Sequence, residues 1–381
     1  MSTGIEAAGL SETQRQIVDL VREFARTHIE PHAAEWDRVR YFPRDVIAEL
    51  GKLGFLGMVA PEAHDGMGLD TVTYALALEE LAAADAGVAA AVNSHSALPT
   101  TLLARHGTPR QQERWLKPMA RGTVLAGVAL AEPEAGSDIA ALAARAAQRD
   151  DGWALDGIKA WVTNGTTADL VIVFARTAAG ISAFLVPTDA AGYRPEAPAD
   201  TMGMRTASTG VVVLRDLRIP ADHLLGDDGQ GLVYAVEGTD AGRLGVAALA
   251  VGIARRALEH AVAYCSERRQ FGRALREFEA VQFKLADMAT RVDAARALAH
   301  AAAARHDRGE DGAAAASMAK LFASEAAMWV TTQAIQLFGG YGYMRDFPVE
   351  KLFRDAKAME LYEGTSEIQR LNVARGLTAG R

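Results

Sequence analysis

Glu363 lies in the run Leu361-Tyr362-Glu363-Gly364-Thr365-Ser366-Glu367-Ile368-Gln369. Gly364 marks a turn, and Ser366 with Gln369 predicts a capping box at the start of a final helix. A carboxylate held on such a turn, between Tyr362 and Gly364, is placed to take a proton as a general base. A Glu beside a helix start also complements the helix dipole, and most do no more than that.

Other segments carry polar chemistry of their own. Ala131-Glu132-Pro133-Glu134-Ala135-Gly136-Ser137-Asp138 is turn-rich and exposes backbone N–H groups and the Ser137 hydroxyl. That equipment suits a polar or phosphate ligand as well as an ordinary loop. In Gly157-Ile158-Lys159-Ala160-Trp161-Val162-Thr163-Asn164-Gly165, strand alternation puts Trp161 and Thr163 on one face. An indole can cover a flat aromatic ring, and a hydroxyl two residues on can bond its heteroatom; an isolated sheet Trp is more commonly core. Arg268-Arg269-Gln270-Phe271-Gly272 sets two guanidinium groups side by side, which fits a pyrophosphate or a solvated basic helix end. Asp240-Ala241-Gly242-Arg243 opens a long helix, with Asp240 and Glu237 as local partners for Arg243.

The elements that must position these residues fall into three zones. Residues 1–123 read as helical: Ser11 and Gln14 form a capping box, and Ile17, Leu20, Val21 and Phe24 follow at helical spacing. Further helices are expected over 43–53, 71–84, 89–105 and 109–121, with a loop at 64–68. Residues 124–228 read as strands. The runs 170–175, 182–186 and 211–214 are β-branched or aromatic and bounded by Gly, Pro and Asp, as in a small antiparallel barrel or sandwich. Residues 229–381 return to long Ala- and Leu-rich helices over 243–268, 280–308 and 313–338, the pattern of a helical bundle whose broad apolar faces bury against another subunit. The fold class expected is mainly α with a central β domain.

A chain of 381 residues holds more than one core. A net charge of −8 argues against nucleic-acid binding. The single cysteine, Cys265, excludes an internal disulfide and a cysteine-cluster metal site, and the 9 His residues form no ligand-like cluster. Residues 1–10 lack the basic region and apolar core of a signal peptide, and the longest apolar stretch, 244–254, is too short to span a bilayer. A cytoplasmic, soluble protein is expected. No glycine motif of dinucleotide-fold type follows a strand, so a nicotinamide cofactor is not.

Gln336-Leu337-Phe338-Gly339-Gly340-Tyr341-Gly342-Tyr343 and Pro348-Val349-Glu350-Lys351-Leu352-Phe353-Arg354-Asp355-Ala356-Lys357 precede Glu363. This block, from Gln336 to Arg375, resembles the acyl-CoA dehydrogenase family, and the helix–sheet–helix order extends the resemblance over nearly the whole chain. The resemblance implies FAD as cofactor and a fold of N-terminal helices, a middle β domain and a C-terminal four-helix bundle. Val128, Leu130, Ala131 and Ser137 then match the stretch that bonds the flavin ring and nears the substrate's pantetheine arm. Trp161 packs at the isoalloxazine, Val162 lies beside it, and the Thr163 hydroxyl addresses N5. Arg268 and Phe271, with Gln336, Leu337, Phe338, Gly339 and Gly340, reach the dinucleotide held mainly by a neighbouring subunit. Thr365, Ser366 and Glu367 make the last flavin contacts. Asp240 and Arg243 contact the coenzyme A portion, with Ser137, Tyr362 and Gly364 also on the substrate. Two positions depart from the family pattern. Ala131 replaces a Thr or Ser, so that position contributes through its backbone. Glu279 replaces a Gln, and its carboxylate must turn from a pyrophosphate or be paired, with Arg276 nearby.

The reaction implied is α,β-dehydrogenation of an acyl-CoA thioester, a step of fatty-acid β-oxidation. Glu363 takes the α-proton, hydride leaves for the flavin, and the Glu363 N–H with a ribityl hydroxyl polarises the carbonyl. Some members carry their base near position 242; Gly242 leaves Glu363 as the base, which fits straight- or short-branched-chain members. Residues 87–98 lack the Arg that glutaryl-type members use, so a monocarboxylic acyl group is expected. Electrons would pass to electron-transferring flavoprotein, and a homotetramer is implied. Two alternatives stand: a flavin acyl-CoA oxidase, and a non-catalytic paralogue that binds FAD or acyl-CoA.

Overall fold

The computed structural model describes residues 9–149, 151–310 and 312–378, so most of the segment 1–10 lies outside it. The chain opens with α1 (Glu12–His28), α2 (Ala33–Val39) and α3 (Arg44–Lys52). The capping box expected at Ser11 is present: Gln14 N–H donates to Ser11 Oγ at 3.2 Å, and Ser11 N–H to Gln14 Oε1 at 3.0 Å. Ile17, Val21 and Phe24 are buried, while Leu20 is exposed. Two aspartates punctuate the next pair of helices. Asp70 caps α4 (Thr71–Ala84), and Asp85, in an extended conformation, both ends α4 and caps α5 (Ala86–Ser96). The single helix expected over 89–105 is therefore two. The break falls at Ala97, and Pro99, which has no N–H to donate, sits in the first turn of α6 (Leu98–His106). Short α7 (Pro109–Gln111) and α8 (Lys117–Ala120) flank one π-turn.

The strands are β1 (Ala126–Ala129), β2 (Arg145–Arg149), β3 (Gly152–Val162), β4 (Leu170–Arg176), β5 (Ile181–Pro187), β6 (Tyr193–Pro195), β7 (Gly210–Pro220) and β8 (Leu224–Leu225). They form one sheet in the order β6-β7-β3-β2-β4-β5-β8, with β1 on β4. The pairing is antiparallel as expected except at β4, which takes β1 and one residue of β2 in parallel. Val171, Val173, Phe174 and Phe184 are wholly buried, so the centre of the sheet is covered on both faces.

The C-terminal part comprises α9 (Gly231–Glu267), a small hairpin of β9 (Arg269–Gln270) and β10 (Arg273–Ala274), α10 (Glu279–Asp307), α11 (Ala313–Phe338), α12 (Val349–Met359) and α13 (Ser366–Thr378). α9 starts earlier than its Ala/Leu periodicity suggested, so Asp240 and Arg243 lie inside the helix rather than at its opening. Its glycines serve close approach: a Cβ at Gly245 would lie 1.9 Å from Asn93 Oδ1, and one at Gly238 2.5 Å from Leu98 Cγ. α5 and α6 thereby press onto α9 beneath the Glu363 turn.

One buried cation ties the three parts together. Lys351 on α12 pairs with Asp355 at 2.7 Å and with Asp85 of α5 at 3.0 Å. Asp355 also accepts from Met204 N–H, in the loop between β6 and β7, at 2.6 Å. An isolated charge this deep would be costly; paired twice, the Lys351 ammonium is held well above its usual range by the two carboxylates despite burial.

Candidate active site

Glu363 sits on a left-handed turn, φ 55°, followed by Gly364 at φ 90°. A non-glycine residue adopts that conformation only when its surroundings fix it. Here they hold the two carbonyls. Gln369 Nε2–H donates to Glu363 O at 2.9 Å and to Gly364 O at 2.8 Å. From α11, the buried Lys320 Nζ donates to Gly364 O at 2.6 Å. The N–H groups of Glu363 and Gly364 have no acceptor among the described residues.

The capping box expected at Ser366 is absent. The cap is one residue earlier: Thr365 Oγ1 accepts from Ile368 N–H at 3.4 Å. With Thr365 supplying the cap, Gln369 is free to brace the turn instead. Ser366 Oγ and Gln369 Oε1 are left buried without partners, as is Arg243 Nε. Three unpaired polar atoms around one turn mark a place where a polar ligand belongs.

The Glu363 side chain lies against α9 at Gly242. A Cβ at Gly242 would be 2.7 Å from Glu363 Oε2 and 2.8 Å from Cδ, so a side chain there would displace the carboxylate from its present position. Burial raises the Glu363 pKa above the usual carboxylate range, against the opposing charges of Arg243 and Lys320. Burial in turn pulls the Lys320 ammonium down to about 8. Arg243 pairs with Asp240 at 2.7 Å as expected. Glu237 does not join them; it bonds His106 of α6 at 2.7 Å.

Trp161 does not follow the alternation expected of β3. Its φ is 55°, and the register with β7 slips between Lys159 and Val162. The irregularity leaves the indole 61% exposed at the end of the strand. Val162 is buried, so its backbone is what it can offer, and Thr163 stays partly exposed in the following turn. Asn164, at φ 63°, fixes that turn: its Nδ2–H donates to Ala91 O at 2.9 Å and Ala126 O at 3.0 Å. The 131–138 loop is fastened beside it. Glu132 is buried and meets Lys159 Nζ at 2.7 Å, and its carboxylate also accepts from Ala143 and Ala144 N–H. Lys159 further donates to Leu130 O, and Ala160 N–H to Ala131 O. Ala131 therefore keeps its N–H as the group free for a ligand. Val128 and Leu130 are partly buried behind it, and Ser137 is exposed. Sequence reasoning missed Lys159, Glu132 and Asn164; the pairing of a buried-pattern Lys with an acid 27 residues away has no local signal.

Arg268 and the 337–340 segment come together as expected. They line a cleft of about 460 Å³ with Tyr264 and Tyr341, the Arg268 guanidinium lying 5.5 Å from the Tyr341 ring centre. A Cβ at Gly339 or Gly340 would meet nothing within 4 Å, so their backbone is open to a ligand. Gln336 is exposed at the end of α11. Phe271 departs from this group. It and Gly272, at φ 51° and 80°, form the two-residue tip of the β9–β10 hairpin, and the ring is 94% exposed. Glu279 is exposed in the first turn of α10, where it complements the helix dipole; no ion pair joins it to Arg276 among the described residues. A stacking Trp, a hydroxyl, open backbone and a cationic cleft fit the parts of a flavin dinucleotide.

Family models for the acyl-CoA dehydrogenase N-terminal, middle and C-terminal domains match residues 11–123, 127–217 and 229–378. The chain is 42% identical to the mitochondrial short-chain specific acyl-CoA dehydrogenase of Bos taurus, over 98% of this chain and 92% of that one. Butyryl-CoA dehydrogenase from Megasphaera elsdenii superposes with a TM-score of 0.94 at 39% identity, covering 97% of this chain and 98% of that one. A chain solved in work on the electron transferring flavoprotein of Acidaminococcus fermentans superposes at 0.96 with 41% identity, over 97% and 99%.

Proposed function

The chain belongs to the acyl-CoA dehydrogenase family, and on that premise we propose that Glu363 is the base of its FAD-dependent reaction and that its substrate is a short, monocarboxylic acyl-CoA. FAD, when bound, supplies the acceptor for the hydrogen that leaves the β-carbon as hydride. The residues of the chain do the rest. Glu363 removes the α-proton, and its raised pKa brings it nearer to that task than an exposed carboxylate would be. The unpaired Glu363 N–H is available to the thioester carbonyl as negative charge grows there. Arg243, with Asp240 orienting it, faces the same space and receives the coenzyme A portion. Trp161 and Thr163 seat the ring; Ala131, through its N–H, and Ser137 border it. Thr365, Ser366 and Glu367 complete that side.

The observation that carries this reading is the Glu363 carboxylate lying against Gly242 of α9, on a turn held from α11 by Lys320. Support for a short acyl group comes from Asn93 and Leu98 pressed onto α9 at Gly245 and Gly238, and from the names of the relatives. Arg268, Phe271 and Gln336–Gly340 lie on the bundle, whereas Trp161 and Thr163 lie on the sheet, and no residue of the sheet lines the Arg268 cleft. We read this as two half-sites completed by a second copy, in a homotetramer that passes electrons to electron-transferring flavoprotein in the cytoplasm. No helix among the described residues is long and apolar enough to cross a membrane. Domain limits at 123/124 and 228/229 follow the changes from helix to sheet to helix.

The test is anaerobic mixing of the FAD-loaded protein with butyryl-CoA, isobutyryl-CoA and palmitoyl-CoA. Loss of the oxidised-flavin absorbance is expected with the short chains and to fall off steeply by palmitoyl. Absence of bleaching with every acyl-CoA would exclude the dehydrogenase and leave a binding paralogue. Rapid reoxidation of the bleached protein by oxygen would favour an oxidase.

A further inference from the structure

Lys320 is a lysine with no exposed surface, in the first third of α11, where the other buried side chains are alanines, Ser317 and Ser324. Burying an ammonium costs several kcal/mol unless it is compensated. No carboxylate lies within ion-pair distance of it among the described residues, and its hydrogen bond goes to a neutral carbonyl, Gly364 O. A leucine or methionine would fill the same space without that penalty. The position of the amine explains its presence. It lies beneath the Glu363–Gly364 turn and grips the same carbonyl as Gln369, so that the turn is held from two helices, α11 and α13.

Resting on the reading of Glu363 as base, we propose that Lys320 is a positioning residue for it: the Lys320 ammonium fixes the Glu363–Gly364 turn from below and supplies a buried positive charge that favours the ionised, proton-accepting carboxylate. Several charged groups face this centre. From α9 come Arg243, also positive and the stronger influence on Glu363, and its partner Asp240. Glu360, at the end of α12, is engaged by Lys357 at 2.6 Å. Glu367 contributes from α13. On α10, His300 lies in the field of Glu79 and Arg296 instead. Arg243 is shared with Asp240 and, in the proposed complex, with substrate. Lys320 is committed to the turn. The amine's own position near 8 keeps it charged through neutral pH, where the base must be ionised.

Three substitutions separate charge from hydrogen bond. Lys320→Gln keeps a donor and loses the charge; Lys320→Met loses both; Lys320→Arg keeps both. The readout is the rate of flavin reduction by butyryl-CoA against pH, whose acid limb reports the base. In Lys320→Gln and Lys320→Met the limb is expected to move to higher pH by about one unit, the low end of what an opposite charge does to a carboxylate. Lys320→Arg should return it towards the wild-type position. A lower plateau with an unmoved limb in both Gln and Met variants would reduce Lys320 to a structural residue and overturn the proposal. Should those variants fail to fold, the coupling is readable from the other side. In Glu363→Gln the Lys320 amine, followed by NMR of isotope-labelled lysine, should titrate at lower pH than in wild type, and an unchanged midpoint would sink the idea. If Glu363→Gln still reduces flavin at a normal rate, it is the assignment of the base that fails, and the lysine titration still reports on the coupling.

Discussion

The carboxylate of Glu363 occupies the space that a β-carbon on Gly242 would need, with Oε2 2.7 Å from that position. Gly242 lies inside α9, where alanine is the better helix former by about 1 kcal/mol. Gly242→Ala should therefore leave the fold intact while displacing the carboxylate. We expect unchanged or slightly higher thermal stability, retained FAD, and flavin reduction by butyryl-CoA slowed at least ~10-fold, about 1.4 kcal/mol of barrier. Normal rates in this variant would mean that the carboxylate moves freely and that its seat on α9 is irrelevant.

Glu363→Gln should abolish turnover, by ~10²-fold or more, because an amide keeps the shape but accepts no proton at neutral pH. A stability signature should accompany the loss. The folded-state pKa of Glu363 is raised, so its contribution is fully present below the unfolded value and is lost as pH rises through the folded one. The Gln variant does not undergo that loss. Melting temperatures of the two proteins should converge at acid pH and separate in favour of the Glu363→Gln variant as pH approaches neutrality; a constant difference across the range would show that Glu363 does not titrate in a buried setting.

The Glu132–Lys159 pair fastens the 131–138 loop beside Trp161. Lys159→Met removes one partner of a buried pair, with an expected destabilisation of roughly 3–5 kcal/mol. The two N–H bonds from Ala143 and Ala144 remain on Glu132 and should soften the loss towards the lower figure. Urea unfolding gives the stability change. FAD retention on dilution tests the further expectation that the loop loses its hold on the ring, and full FAD retention would confine the pair to a structural role.

Phe271 points into solvent from the tip of its hairpin, well placed to address another copy of the chain and not its own cleft. Light scattering should show a tetramer, and Phe271→Asp should weaken FAD binding by making the shared site worse. A monomer that binds FAD with undiminished affinity would reject the shared site.

Much of the frame was legible because its signals are local. The boundaries of α4 and α11 follow from unbroken helical composition, and the buried runs of β4 and β5 from β-branched and aromatic residues between breakers. Glu363 was legible as a carboxylate on a glycine turn. Less visible were features fixed by tertiary contact. Thr365 and Ser366 are both competent caps, and only the packing that buries Ser366 decides between them. The glycines of α9 lower its helix propensity and disguise its first turns, yet they are what lets Asn93, Leu98 and Glu363 approach. The left-handed Trp161 violates the preference of a bulky residue and is imposed by the bulge against β7.

Lys351 has a consequence for how the molecule comes apart. Its ammonium is shared by an aspartate at the start of α5 and one on α12 that also holds the loop before β7. Parting the first helices from α12 takes Asp85 away from the ammonium, and parting the sheet takes the Met204 N–H away from Asp355, so each separation weakens the buried contacts that remain on α12. Calorimetry should then record a single endotherm with no domain melting early, and a protease should find the full chain or small fragments, without a surviving core.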